Sequence, residues 1–231
     1  MAVISPSFRA RVRSSIEQPV ARVFTALHLS PNALTLIGFG IAVSGAYFAA
    51  TQGWLIAGLV VAFGAVFDLF DGALARATDT TSKFGAFMDS TFDRAGEAAV
   101  YIGIAWGLGG HEMQGAQIVA QGFAMAAMAA SFMVSYTRAK SESLGFATGS
   151  GMANIGLAPR EVRLAILVVG LVLTGLAGGV GTVFFPNTAG SMALMGSLAL
   201  ITILATVTTL QRIFFVYQQS KRDTQEGKEN H

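Results

Sequence analysis

The chain has 231 residues, of which 53% are hydrophobic and 12% charged, with a formal net charge of +2 and no cysteine. The charged share is about half of the roughly 25% usual in soluble domains, and with a mean hydropathy of +0.58 it excludes a disordered chain, a coiled coil and an ordinary soluble globule. The lack of thiols removes disulfides, zinc–thiolate sites and iron–sulfur clusters, and so small a net charge makes no case for a nucleic-acid partner.

Residues 6–28 come first. Phe8, Val12, Ile16, Val20, Val23 and Leu27 recur every three or four positions, while Arg9, Arg11, Arg13 and Arg22 fall mostly off that stripe. This pattern predicts a basic amphipathic helix lying in the membrane interface. It does not read as a cleavable leader, because no short apolar core precedes a small-residue cleavage site. Ser30-Pro31-Asn32 then breaks the helix, with Pro31 suited to the first turn of the next one.

Six apolar blocks follow, read as spans over about 33–51, 54–76, 85–109, 116–137, 162–182 and 189–216. At about 20 residues per crossing they use most of the chain, so the expected architecture is all-α. It is a polytopic membrane protein with six transmembrane helices and the interfacial helix, forming one domain over 1–231. A Gly-, Ser- and Ala-rich loop is expected over 145–159, and a flexible polar tail over 219–231. Gly103 and Gly107 on span three form a G-x-x-x-G pair that would bring helices close, within or between protomers.

Basic residues set the orientation. They occur in the N-terminal arm, in the break at Arg76 and Lys83, in the break holding Arg138, Lys140, Arg160 and Arg163, and in the tail. The breaks at 51–53, 110–115 and 183–188 have none. This alternation places both termini in the cytoplasm.

Five of the 13 acidic residues crowd into positions 68–93, where spans two and three meet the same surface. Asp68 and Asp71 are three apart, and Asp89 and Asp93 four apart, so each pair shares a helix face. Eight residues separate Arg76 from Gly85, so the spans form an antiparallel hairpin and the four carboxylates converge. An ionised aspartate at mid-bilayer costs at least ~2.5–3.5 kcal/mol, so such a cluster persists only if cations or protons neutralise it. A purely structural ion-pair cluster with Arg76 and Arg94 would leave two of the four charges unbalanced. All-oxygen ligands favour Mg²⁺, Mn²⁺ or Ca²⁺, and four carboxylates suffice for two ions, the arrangement used for displacement at phosphorus. Gly72 leaves room beside Asp71, Arg76 offers a bidentate phosphate fork, and Gly85 removes bulk opposite. Asp79 reads as a solvated loop residue.

Asp68, Asp71, Gly72, Ala75, Arg76, Gly85, Asp89 and Asp93 match D-x2-D-G-x2-A-R-x8-G-x3-D-x3-D at every fixed position. The stretch thereby resembles the signature of CDP-alcohol phosphotransferases, with Ala75 and Gly85 as structural positions. The resemblance implies transfer of a phosphoalcohol from a CDP-linked lipid donor such as CDP-diacylglycerol to a hydroxyl acceptor, with release of CMP. It implies two divalent cations, Mg²⁺ or Mn²⁺, held by Asp68, Asp71, Asp89 and Asp93, with Asp93 also the general base. It implies contacts to the CDP-alcohol from Gly72, Arg76 and Ser82, and from the Pro31, Asn32, Ala33 and Leu34 turn. A homodimer in a prokaryotic plasma membrane, with a cytoplasmic site, is expected on the same ground.

Ser135-Tyr136-Thr137-Arg138-Ala139-Lys140 and Pro159-Arg160-Glu161-Val162-Arg163 stand on the same side. Their four cations, Arg138, Lys140, Arg160 and Arg163, suit a small anionic acceptor or anchor the helices at lipid headgroups. The segments resemble the two basic elements of phosphatidylinositol-phosphate synthases, which implies inositol 1-phosphate as acceptor, with glycerol 3-phosphate and serine as alternatives. A cation-coupled transporter is the rival of another class. It would place acids in both halves of the chain, whereas spans four to six carry none well inside.

Overall fold

The computed structural model describes residue 24 and residues 29–77, 80–109, 115–146, 155–180 and 188–229, and for 69, 71–73, 75–77, 115–117, 188 and 223–229 it describes the backbone alone. Apart from Phe24, the expected interfacial helix over 6–28 lies outside the described residues. The described elements are all helical: α1 Pro31–Ala50, α2 Trp54–Ala77, α3 Lys83–Leu108, α4 Gly115–Ser143, α5 Arg160–Leu176 and α6 Thr188–Glu229.

The boundaries follow from local chemistry. Ser30 caps α1 by accepting from the Ala33 amide, and Pro31 takes the first turn. Ser82 caps α3 in the same way, accepting from the Gly85 amide at 2.9 Å. α4 runs past the expected end near 137 to Ser143. It stops where Gly145 turns left-handed (φ 80°) and the Phe146 amide closes back on the Ser141 carbonyl at 3.0 Å. α5 is shorter than the expected 162–182 because two consecutive left-handed glycines, Gly178 and Gly179 (φ 87° and 84°), end it. α6 is longer than expected. The segment read as a flexible tail from 219 continues the helix to Glu229, since Gln, Lys, Arg and Glu are good helix formers and no proline interrupts them.

Pro31–Ala50, Ile118–Ser143 and Ala189–Arg222 are long and apolar enough to cross a membrane. The other three helices fall short for physical reasons. α2 is apolar only over Trp54–Asp68, beyond which Asp68, Asp71 and Arg76 interrupt it. α3 carries Asp89, Asp93, Arg94 and Glu97. α5 has 17 residues, about 26 Å at the helical rise. Large apolar side chains such as Leu59, Phe63, Trp106, Met192 and Ile203 point outward, as lipid-facing surfaces do.

α1 packs against α2 and α3, α4 against α3 and α6, and α5 against α2 and α6. At Gly103 and Gly107 the α1–α3 contact is backbone on backbone. A Cβ on Gly103 would lie 2.2 Å from the Ala46 carbonyl oxygen, and one on Gly107 2.2 Å from that of Ala49. The glycine pair therefore joins helices within one chain. The core between the layers is built on Trp54, Tyr101, Ile104, Leu167, Leu171 and Leu198.

Candidate active site

The α2–α3 hairpin brings its carboxylates to one place. Asp68 on α2 and Asp89 and Asp93 on α3 line a narrow cavity of about 40 Å³ between α1, α2, α3 and α5. Successive α3 turns present Asp89, Asp93 and then Glu97 to it. α1 makes room on the opposite wall, since a Cβ on Gly38 would stand 2.9 Å from Asp68 Oδ1. Arg160, the first residue of α5, reaches in and joins the hairpin's two sides, pairing with Asp68 Oδ2 at 2.8 Å and Asp93 Oδ2 at 2.9 Å.

The donor set suits a hard cation. Four carboxylates, Asp68, Asp89, Asp93 and Glu97, face one cavity, and the Arg160 guanidinium lies between two of them, so that space accepts positive charge. Among the described residues no three acidic or histidine groups stand close enough to hold an ion. The remaining aspartate of the hairpin, Asp71, sits on α2 one turn from Asp68, with its side chain outside the description.

A second cavity of about 710 Å³ shares Asp89, Asp93 and Arg160 with the first and is lined by Arg94, Arg138, Arg163 and Arg212. Three of the four expected acceptor cations are therefore together. Lys140 is exposed on α4 and does not line this cavity. The three differ in environment. Arg138 is half-exposed and pairs with Glu142 one turn on at 2.9 Å. Arg160 bridges the aspartates. Arg163 is buried, donating to Glu97 through Nε and Nη2 at 3.2–3.3 Å and to the Ala158 carbonyl at 2.9 Å.

The expected CDP-contacting residues gather at the start of α1 and α3. Asn32 Oδ1 would lie 3.4 Å from a Cβ on Gly85, and Ser82 Oγ 3.1 Å from it, so the Pro31–Asn32 turn abuts the hairpin. Ala33 supplies the amide that Ser30 caps. Leu34 is buried and packs with Leu74. Gly72, Ala75 and Arg76 lie on the last turns of α2.

Sequence reasoning missed Glu97 and Arg212. Glu97 had a legible signal, because it continues the four-residue spacing of Asp89 and Asp93. Arg212 had none, because only tertiary packing turns it from the tail toward the Ile155 and Val134 carbonyls.

Residues 28–211 match the family model of CDP-alcohol phosphatidyltransferases. An archaetidylinositol phosphate synthase of Pyrococcus horikoshii is 37% identical over 174 residues, covering 74% of this chain and 86% of that protein. A phosphatidylinositol phosphate synthase of Cutibacterium acnes is 36% identical over 167 residues, covering 71% and 76%. Among solved structures, the Mycobacterium tuberculosis phosphatidylinositol phosphate synthase with CDP-DAG bound superposes with a TM-score of 0.73 at 27% identity, covering 88% of this chain and 94% of that one. The same enzyme in complex with manganese and citrate gives 0.73 at 28% identity, covering 87% and 89%. The chain belongs to the CDP-alcohol phosphatidyltransferase family and is an enzyme of phospholipid synthesis, which sets the transporter reading aside.

Proposed function

We propose that the chain is a phosphatidylinositol-phosphate synthase. It would transfer the phosphatidyl group of a CDP-lipid such as CDP-diacylglycerol to a hydroxyl of inositol 1-phosphate and release CMP. The observation that carries the reading is the meeting of two cavities, one lined by Asp68, Asp89 and Asp93, the other by arginines, with Asp89, Asp93 and Arg160 common to both. A reactive carboxylate thus stands at the mouth of a pocket suited to a phosphorylated polyol. The naming of the relatives supports the same acceptor.

In this mechanism the acceptor hydroxyl attacks the phosphorus that carries the lipid, a new P–O bond forms, and the bond to CMP breaks. The hydroxyl proton goes to Asp93, within reach of both cavities. Arg138 and Arg160 hold the acceptor phosphate and orient the hydroxyl, as bidentate guanidinium groups do. Asn32, Gly85 and Ser82 shape the donor side, with Gly72 and Arg76 at the end of α2. Two divalent cations, Mg²⁺ or Mn²⁺, held by Asp68, Asp71, Asp89 and Asp93 would offset the charge of the pyrophosphate and of departing CMP.

The lipid tails stay in the bilayer while the headgroup enters the site. The distribution of basic residues supports six crossings with both termini and the active site in the cytoplasm, and the family resemblance supports a prokaryotic plasma membrane. The 6–28 helix would lie in the interface, and two copies would form a homodimer.

The test is CMP release by purified protein with CDP-diacylglycerol, Mg²⁺ or Mn²⁺, and a panel of acceptors. Inositol 1-phosphate is expected to support release, and glycerol 3-phosphate and serine are not. Release with either of those but not with inositol 1-phosphate would reassign the acceptor. No release with any acceptor would refute the activity.

A further inference from the structure

Arg160 is the first residue of α5, and its N-cap, Pro159, makes no side-chain cap hydrogen bond. Something else must hold the start of this helix so that a guanidinium fits between Asp68 and Asp93. The holding groups lie on the preceding strap, residues 155–159, and they come chiefly from α6.

Thr208, fully buried on α6, accepts two backbone hydrogen bonds at its Oγ1, from the Leu157 amide at 3.0 Å and the Ala158 amide at 2.9 Å. The same hydroxyl donates its proton to the Leu204 carbonyl at 2.8 Å, which aims its lone pairs at the strap. One turn along α6, Arg212 Nε donates to the Ile155 carbonyl at 3.0 Å. From the other side Arg163 donates to the Ala158 carbonyl at 2.9 Å and is itself anchored by Glu97. Gly156 completes the fit. It is left-handed (φ 121°), and a Cβ there would lie 2.2 Å from Thr208 Cγ2. The strap thus runs directly over Thr208, two residues before the arginine that joins the aspartates.

We infer that Thr208 is a positioning residue for Arg160: by gripping the Leu157 and Ala158 amides it fixes the start of α5, and with it the guanidinium shared by the carboxylate and arginine-lined cavities. The inference rests on the reading of the arginine-lined cavity as the acceptor site. Buried amides left without an acceptor are costly, so loss of the hydroxyl moves the strap rather than leaving it in place.

Thr208→Val keeps the shape of the side chain and removes the acceptor oxygen, while Thr208→Ser keeps the oxygen. Both are assayed by initial rates with the acceptor and the CDP-lipid varied in turn, beside Arg160→Gln. Thr208→Val is expected to raise the acceptor KM about tenfold with the donor KM unchanged, and Thr208→Ser to restore it. A wild-type acceptor KM in Thr208→Val overturns the inference, as do equal rises in the donor and acceptor KM or a serine variant as impaired as the valine one. Should Thr208→Val fail to fold, Gly156→Ala displaces the strap from the other side and is held to the same split between the two KM values. If Arg160→Gln leaves the acceptor KM unchanged, the acceptor-cavity reading itself fails. If Arg160→Gln raises it and Thr208→Val does not, the positioning role alone is refuted.

Discussion

Replacing Glu97 by alanine strands a buried guanidinium. Glu97 and Arg163 are 7% and 1% exposed, and three N···O contacts of 3.2–3.3 Å join them. Without the carboxylate, Arg163 keeps the Ala158 carbonyl as its partner among the described residues. Breaking one side of a buried pair costs about 3–5 kcal/mol. With Arg163 only 1% exposed, water cannot take the place of the carboxylate, so the expected loss falls within that range, about 3–5 kcal/mol. Glu97→Gln keeps an acceptor oxygen without the charge and should lose about 1–2 kcal/mol. The double variant Glu97→Leu with Arg163→Met removes both desolvation costs at once and should recover most of the stability lost by Glu97→Ala. Equilibrium unfolding in mixed micelles, followed by near-UV circular dichroism, reads all three. A Glu97→Ala midpoint equal to wild type refutes the reasoning, and so does a double variant no more stable than Glu97→Ala.

Other consequences can be measured separately. Asp93→Asn should nearly abolish CMP release while leaving CDP-lipid binding largely intact, and normal turnover would remove Asp93 from the role of base. Gly103→Ala puts a methyl group 2.2 Å from the Ala46 carbonyl and should destabilise by about 1–3 kcal/mol. Gly40→Ala meets nothing within 4 Å and should gain about 0.5–1 kcal/mol from helix propensity, so a thermal melt should separate the two glycines in sign. Arg138→Gln breaks an exposed i,i+4 pair worth only about 0.3–0.5 kcal/mol. Its melting point should stay near wild type while the acceptor KM rises several-fold, and an unchanged KM would assign Arg138 to the surface.

The parts of the molecule legible in its sequence are those set by local chemistry. Ser30-Pro31 announces the start of α1, and the spacing of Asp68, Asp89 and Asp93 anticipates their shared cavity. Such features need only helical periodicity and a short connection. Hydropathy understates α4 and α6, where it fades before hydrogen bonding does, and overstates α5, where it outlasts it. Polar residues such as Lys140 and Glu142 continue a helix until Gly145 turns it, and α5 ends at a glycine pair inside a stretch that still reads as apolar. Arg160 was expected at an acceptor phosphate, yet here its guanidinium also closes the carboxylate cluster, a contact spanning 92 residues to Asp68. The sequence places Arg163 among the four cations of one surface, but its pairing with Glu97 depends on how α3 and α5 lie against each other. No periodicity encodes such long-range pairings. They emerge from packing.

The contact of Gly103 and Gly107 with the Ala46 and Ala49 carbonyls leaves no side-chain layer at one end of the α1–α3 seam, and at the other the Phe39 and Phe92 rings pack 5.1 Å apart across it. Two helices meshed main chain to main chain cannot slide past one another without a clash, so the Asn32 turn and the Asp89–Asp93 face travel as a single rigid jaw. α5 meets α2 just as closely, since a Cβ on Gly175 would lie 2.3 Å from the Leu55 amide nitrogen and one on Gly58 3.0 Å from that of Val172. The cleft is therefore flanked by two seams of interlocked main chain, and neither wall can close on a small acceptor without unlocking one of them.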